Sequence, residues 1–512
     1  MKVVLQLLGS TALDPIVMPG YLYTVNHEGI DEKPKGGGAI PSISVFDRVN
    51  SSSKSELTTA GYGLEAVVEK AKDAEEGEYN PFEHRKVERP NSDLGGLAHL
   101  LKSSLGTGIL AMPNAFRNGG LVLGTIATLF VGYICTHCVY ILVDSSHTLC
   151  RRLKVPSLTY AETAEAAIKT GPILLRPYAT VVRRIVDVSL ALTYYSAACV
   201  YVVFMATSTK QVADLYVGAD IDVRLYVLMF LLPLLVLGSI RDLKFLVPFS
   251  AVANICIVIS FALTLYYVFR EIPTLEDRSL AGTPAQLPLF FATAIFAMEG
   301  IGVVMPVENS MKHPQHFLSC PGVLCVAMTI VVSLYTVIGF FGYIKYGDLT
   351  QGSITLNLPT QEPLAQAVKV LIAVSIVFTY GLQFYVPTEI TWRMAKDHFS
   401  EKRQLVVEYI MRWIIVVITV IIAAIVPHLG PIISLVGALF FSTLGLIIPA
   451  AVDAITSCHV DTSSASTPSP PFRFTFRVAK DAFIILFALV GLLSGTYASV
   501  LEIIEANRGS GE

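Results

Sequence analysis

Residues 95–116 read GGLAHLLKSSLGTGILAMPNAF. The run is long and apolar enough for a membrane helix, which needs about 20 mostly apolar residues. Near its middle, however, stands Gly106-Thr-Gly108, followed by Met112-Pro113. A second apolar run, 288–310, carries the near-repeat Gly300-Ile-Gly302-Val-Val-Met305-Pro306, again at mid-run. Glycine costs about 1 kcal/mol relative to alanine inside a helix. Two glycines in three residues therefore predict a local break in each helix. Unwound backbone is tolerated at membrane depth only where it is buried in protein or lines a watery cavity. The pairing thus predicts two broken helices facing a common site. A single glycine pair would fit close helix packing equally well.

The rest of the chain reads as membrane protein. Hydrophobic residues make up 53% and charged residues 15%, against about 25% charged in soluble domains. Residues 1–92 hold 24 of the 77 charges, which leaves the remainder too apolar for soluble domains. Eleven spans are expected, at roughly 95–116, 119–143, 183–206, 223–240, 245–269, 288–310, 321–343, 365–386, 406–427, 430–452 and 479–501. The first broken span and the sixth then run in opposite directions, as in an inverted repeat of five plus five helices with one extra. With a cytosolic N-terminus, 18 Lys and Arg fall in inside loops and flanks and 8 outside, the bias expected of cytoplasmic loops. The expected organisation is a disordered cytosolic tail (1–92), a transporter core (93–455), a cytosolic loop (456–478), an eleventh span (479–501) and a short outside tail (502–512).

The net charge of −3 carries no basic stripe for nucleic acid. The opening MKVVLQLLGSTAL mimics a signal peptide, but Gln6 breaks a short apolar run, so no cleaved signal is expected. In the tail, Tyr79-Asn-Pro-Phe82 fits a tyrosine-based sorting pattern, a candidate contact for sorting or signalling partners. No cysteine falls in an outside loop, so no structural disulfide is expected. Cys135-Thr-His137-Cys138 lies on a helix with poor ligand spacing. No metal, cofactor or catalytic motif is read, and the expected partners are a small solute, a proton and membrane lipid.

Backbone polarity sets the chemistry at the breaks. The N–H groups of a half-helix N-terminus attract a carboxylate. Around Ser103–Gly108 these groups, with the Ser104 and Thr107 hydroxyls, suit one. Freed carbonyls around Ala297–Gly300 suit an ammonium. A zwitterionic amino acid carries both groups, although other small polar solutes are not excluded by this. Ionisable residues inside a membrane are functional candidates by default. His99 and Lys102 are three apart, on one helix face. His99 is the proton-coupling candidate because histidine titrates near physiological pH. Lys102 either contributes to coupling or replaces the charge of a sodium ion or pairs with a carboxylate. Glu299, next to Gly300, is protonated, pairs with Lys102 or organises the break. His137 relays protons or packs, and Glu308 and Glu389 sit where gate salt bridges form. Tyr194, Tyr195, Phe296 and Tyr380 are candidates to shape the pocket.

The motifs His99-Leu-Leu-Lys-Ser-Ser-Leu-Gly-Thr-Gly108, Phe291-Ala-Thr-Ala-Ile-Phe-Ala-Met-Glu-Gly-Ile-Gly302, Pro306-Val-Glu-Asn309, Gly342-Tyr-Ile-Lys-Tyr-Gly347 and Leu382-Gln-Phe-Tyr-Val-Pro387 resemble the amino acid/auxin permease superfamily. Within it the chain is similar to proton-coupled amino acid transporters, their insect members above all. The resemblance implies an all-α polytopic protein with a LeuT-like fold and proton-driven uptake of small neutral amino acids into the cytosol. It places the protein in the plasma membrane, the late endosome or the lysosome. It also implies proton coupling at His99, a second recurring histidine at His137 and substrate contact at the glycine-rich breaks. Ser103-Ser104 stands where relatives often have Gly-Asn, and the outside cysteines of vertebrate relatives are missing. An amino acid sensor with little flux is the alternative.

Overall fold

A computed structural model describes residues 79–509 except 86, 88, 89, 105, 275–277, 299 and 459–470. Glu299 and most of the expected tail therefore lie outside the described residues. The first expected span is two helices, α1 (Asp93–Ser104) and α2 (Thr107–Gly119). Then follow α3 (Leu121–Leu153), α4 (Tyr160–Thr170), α5 (Ala179–Val217), α6 (Val223–Met229), α7 (Leu231–Gly238) and α8 (Leu243–Phe269). The sixth expected span is also split, into α9 (Leu287–Met298) and α10 (Ile301–Asn309). The chain continues through α11 (Val323–Tyr346), α12 (Pro363–Ala395), α13 (Glu401–Ile425), α14 (Leu429–Val436), α15 (Ile448–Cys458) and α16 (Pro471–Gly509). Two π-helical turns, Gly437–Phe441 and Thr443–Ile447, join α14 to α15. Among the described residues the only β-type pairing is an isolated bridge from Asn91 to Met311.

Nine of the described helical stretches are long and apolar enough to cross a membrane, and Val223–Gly238 is apolar but shorter. The count of eleven is therefore not confirmed on length. The first expected span, α1 with α2, is not among the nine. The fourth falls short because α6 ends at Met229 and α7 at Gly238. The end of α7 is finished by a side chain: the buried Arg412 of α13 donates to the carbonyls of Gly238 (3.3 Å) and Ile240 (3.2 Å) while paired with Glu408 at 3.0 Å. Other helices outrun their expected spans. At 1.5 Å per residue the 33 residues of α3 extend about 50 Å, against a hydrocarbon core of about 30 Å. Hydropathy marks the apolar part of such a helix and not its polar ends.

Helix ends sort onto two faces. On the near face, where α1 begins, Arg152 bonds the Thr456 carbonyl (3.2 Å), Arg241 meets Glu408 (2.8 Å) and Lys480 meets Asp453 (3.3 Å). On the far face Arg278 bonds the Ile344 carbonyl (3.0 Å), Arg270 meets Glu362 (3.4 Å) and Lys210 bridges Asp214 and Asp220. Between the faces, α2 packs along α9 and α11, and α12 along α5 and α8. Leu110, Met112, Phe116, Ile295, Val203 and Tyr335 are buried in this core, while Ile126, Leu232, Leu486 and Leu493 are exposed on the outside of the bundle. An apolar exterior of that extent is a lipid-facing surface. The sequence reading did not identify α4, which carries four buried alanines and lies against α5 and α15. Its start is a capping box in which Thr159 and Glu162 satisfy each other's backbone N–H groups.

Candidate functional site

The two breaks meet. α1 ends at Ser104, the Gly106 N–H returns to the Ser104 carbonyl (2.8 Å), and α2 starts at Thr107. α9 ends at Met298 and α10 starts at Ile301 after Gly300. Neither α2 nor α10 has a side-chain hydrogen bond capping its N-terminus. Two half-helix N-termini, each with partial positive charge, thus begin at the breaks, and the C-termini of α1 and α9 end there with partial negative charge.

Within each glycine pair the two positions differ. A Cβ built on Gly108 would lie 2.8 Å from both Cα and O of Ala297. A Cβ on Gly302 would collide with the Tyr194 hydroxyl. These second glycines let backbone and ring approach closely. Among the described residues, a Cβ on Gly106 would meet nothing within 4 Å, and one on Gly300 only Ser104 Oγ at 3.9 Å. The first glycines border open space between the breaks.

Other candidate residues are distributed as follows. Ser104 and Thr107 are buried at the first break, and Thr107 faces Tyr201, which also faces Gln383. The Ser103 hydroxyl turns back to the Leu100 carbonyl (2.8 Å). Phe296 packs its ring 5.4 Å from Phe441, and Ala297 lends its carbonyl to Tyr335. His99 is half-buried, with Lys102 the cation facing it. Lys102 Nζ is buried and has no hydrogen-bond partner among the described residues. Tyr380 is hydrogen-bonded to Thr419 at 3.2 Å and stacked on Phe384. Tyr195 bonds Thr391 at 3.0 Å. His137 lies between Tyr133 and Tyr140, both exposed on the outer surface of α3.

Sequence reasoning missed two features. Tyr335 of α11 is fully buried, and its hydroxyl donates to the carbonyls of both Ser104 and Ala297, the latter at 2.9 Å. Nothing local in the apolar run around it distinguishes Tyr335 from a packing aromatic. The second feature lies on the near face. Arg85, in the stretch read as tail, meets the buried Glu308 at 2.9 Å, and Glu308 also meets His147 of α3 at 2.7 Å. Arg85 Nε bonds the Pro156 carbonyl (2.8 Å), and the Phe82 ring lies against both His147 and the guanidinium. Glu308 was read as a gate salt-bridge residue. Its partner comes from a segment with no motif for it, and Phe82 of the sorting pattern is packed here.

The family model described as transmembrane amino acid transporter protein matches residues 89–501. The chain belongs to the transmembrane amino acid transporter family. Like the other members, this amino acid transporter is a multi-pass membrane carrier and not an enzyme. It is 40% identical over 429 residues to the proton-coupled amino acid transporter-like protein pathetic of Drosophila melanogaster, covering 84% of this chain and 89% of that one. It is 26% identical to vacuolar amino acid transporter 4 of Saccharomyces cerevisiae, over 79% of this chain and 57% of that one. Among solved structures, the nucleobase-cation-symport-1 transporter Mhp1 aligns at a TM-score of 0.45 and 14% identity, over 83% of this chain and 93% of that one, a likeness too slight to build on.

Proposed function

We propose that this transporter is a proton-coupled symporter of small neutral amino acids. The carrying observation is the meeting of the two breaks, with uncapped helix N-termini beside open space at Gly106 and Gly300. The substrate carboxylate binds the N-terminus of α2, with the Thr107 and Ser104 hydroxyls beside it. The ammonium faces the C-terminal ends of α1 and α9. Short side chains suit the space, which Phe296 and Tyr194 border. His99, on the turn of α1 before the break, takes up and releases the proton. Lys102, three residues further along, stands on the same helix face. The name of the 40% identical relative, a proton-coupled amino acid transporter-like protein, supports this assignment.

The near face is the cytosolic face in this reading, on the 18-to-8 bias of Lys and Arg. Transport runs toward it, from outside the cell or from an acidic lumen, by rocking of the bundle that holds the two broken helices. A sensor reading draws on one observation, the docking of residues 82–85 on the near face. Purified protein in vesicles decides between them. Labelled glycine, alanine, proline, leucine, lysine and glutamate are offered with and without an inward acidic gradient. The expected result is gradient-driven accumulation of the small neutral members, lost in His99→Ala while substrate exchange at equal pH persists. Full gradient-driven accumulation by His99→Ala would remove His99 from the coupling role. Binding without flux in the wild type would favour the sensor.

A further inference from the structure

Two negative helix ends meet at the breaks. Ser104 closes α1 and Ala297 lies in the last turn of α9. The last four carbonyls of a helix have no partner within it. The close approach of Gly108 to Ala297 brings the two ends together. Paired half-helix C-termini of this kind coordinate the coupling cation in transporters that use one. Here the hydroxyl of Tyr335, wholly buried and delivered by a third helix, points its single proton at both carbonyls.

We propose that Tyr335 is a positioning residue whose hydroxyl proton takes the place of a bound alkali cation, joining the two broken helices so that the substrate site is formed without sodium or potassium. This goes beyond the symport reading and rests on it only in taking the breaks as the substrate site. A phenol suits the task. It reaches across from α11, donates a proton and brings no net charge into the membrane. It also leaves the N-termini of α2 and α10 free for the substrate carboxylate.

Removing the hydroxyl leaves two buried carbonyls short of a donor and opens a gap between them, which a small cation fills. Tyr335→Phe is therefore expected to raise the KM for a small neutral amino acid about tenfold in choline medium, the effect of losing one buried hydrogen bond. Sodium at high concentration is expected to restore much of that loss. Wild-type uptake is expected to be equal in sodium, potassium and choline. A second readout does not involve transport: without substrate, sodium should raise the thermal unfolding temperature of Tyr335→Phe and leave the wild type unmoved. Should Tyr335→Phe not fold, 3-fluorotyrosine at position 335 keeps the shape and strengthens the donor. It is then expected to shift KM, where a packing role leaves KM unchanged. Sodium dependence of the wild type, or a Tyr335→Phe protein with wild-type KM and no response to sodium in either readout, overturns the proposal. So does an unchanged KM in the fluorinated protein. Absence of amino acid flux in the wild type overturns the symport reading instead, and the sodium-dependent unfolding still tests the hydroxyl.

Discussion

At the scale of single residues, the two glycine pairs are alike in sequence but each divides into two jobs. Gly108 is pressed against the Ala297 backbone, whereas Gly106 borders open space. Backbone cannot swing aside as a long side chain can, so a methyl group at 108 overpacks the contact between α2 and α9. Such overpacking typically costs about 1–3 kcal/mol. Gly108→Ala is expected to lower the thermal unfolding temperature of the purified protein clearly. Gly106→Ala is expected to leave it near wild type, because the new methyl group meets no atom of the described residues within 4 Å and the φ of −117° is open to any residue. Its effect should appear in uptake, as a raised KM for the larger of the accepted amino acids. Equal destabilisation by the two substitutions, or normal uptake of every substrate by Gly106→Ala, would contradict this division. The G-x-G pattern marked the break in each span. It did not separate the packed glycine from the open one, because that difference depends on Ala297 and Tyr194, which are distant in sequence.

At the scale of elements, the near end of α10 is tied to α3 by a residue from neither. Glu308 accepts from Arg85 and His147 through one carboxylate oxygen, and the Arg85–Glu308 pair is almost wholly shielded from solvent. Removing one partner of a buried ion pair commonly costs about 3–5 kcal/mol, mostly through the charge left behind. Beside this cluster lies Cys150, fully buried in α3. In a background with the exposed Cys320, Cys325 and Cys458 replaced by serine, Arg85→Ala is expected to speed maleimide labelling of Cys150 by at least about tenfold. Glu308→Gln with Arg85 intact should give a smaller increase, since the amide oxygen still accepts. Unchanged labelling in Arg85→Ala would show that residues 82–85 do not hold this end of the bundle. The helices themselves were legible because long apolar runs and loop charges carry the signal locally. The Thr159–Glu162 capping box at the start of α4 is an equally local signal. Arg85 was not legible, since a lone arginine among tail charges shows nothing of the carboxylate 223 residues away. Lys369 shows the same limit. It was counted with the loop charges but is buried in α12, bonded to the Leu358 carbonyl at 2.9 Å.

At the scale of the whole molecule, the proposed rocking mechanism requires α1–α2 and α9–α10 to change their relation to the surrounding helices, and the N-terminal segment bears on that change. Arg85 joins α10 to α3 through Glu308 and His147, and Asn91 ties the start of α1 to the turn after α10 through the Ser310 carbonyl (2.8 Å) and the Lys312 N–H (2.8 Å). A chain that starts at residue 79 keeps each of these contacts, and one that starts at residue 91 loses Arg85 and Phe82 but keeps Asn91. If the protein is a carrier, the shorter deletion leaves proton-driven amino acid uptake unchanged. The longer one loosens the near face, which shifts the balance between conformations and so alters KM and the maximal rate together. It also exposes Cys150 to the same degree as Arg85→Ala, because both remove the same ion pair. If the protein is instead a sensor that signals through its tail, both deletions abolish signalling, while flux in vesicles is negligible with or without them. Vesicle uptake by the three chain lengths, measured beside Cys150 labelling, separates these outcomes. The carrier reading fails if the full-length chain shows no flux. The role given to Arg85 fails if the longer deletion leaves both KM and Cys150 labelling as they are in the full chain.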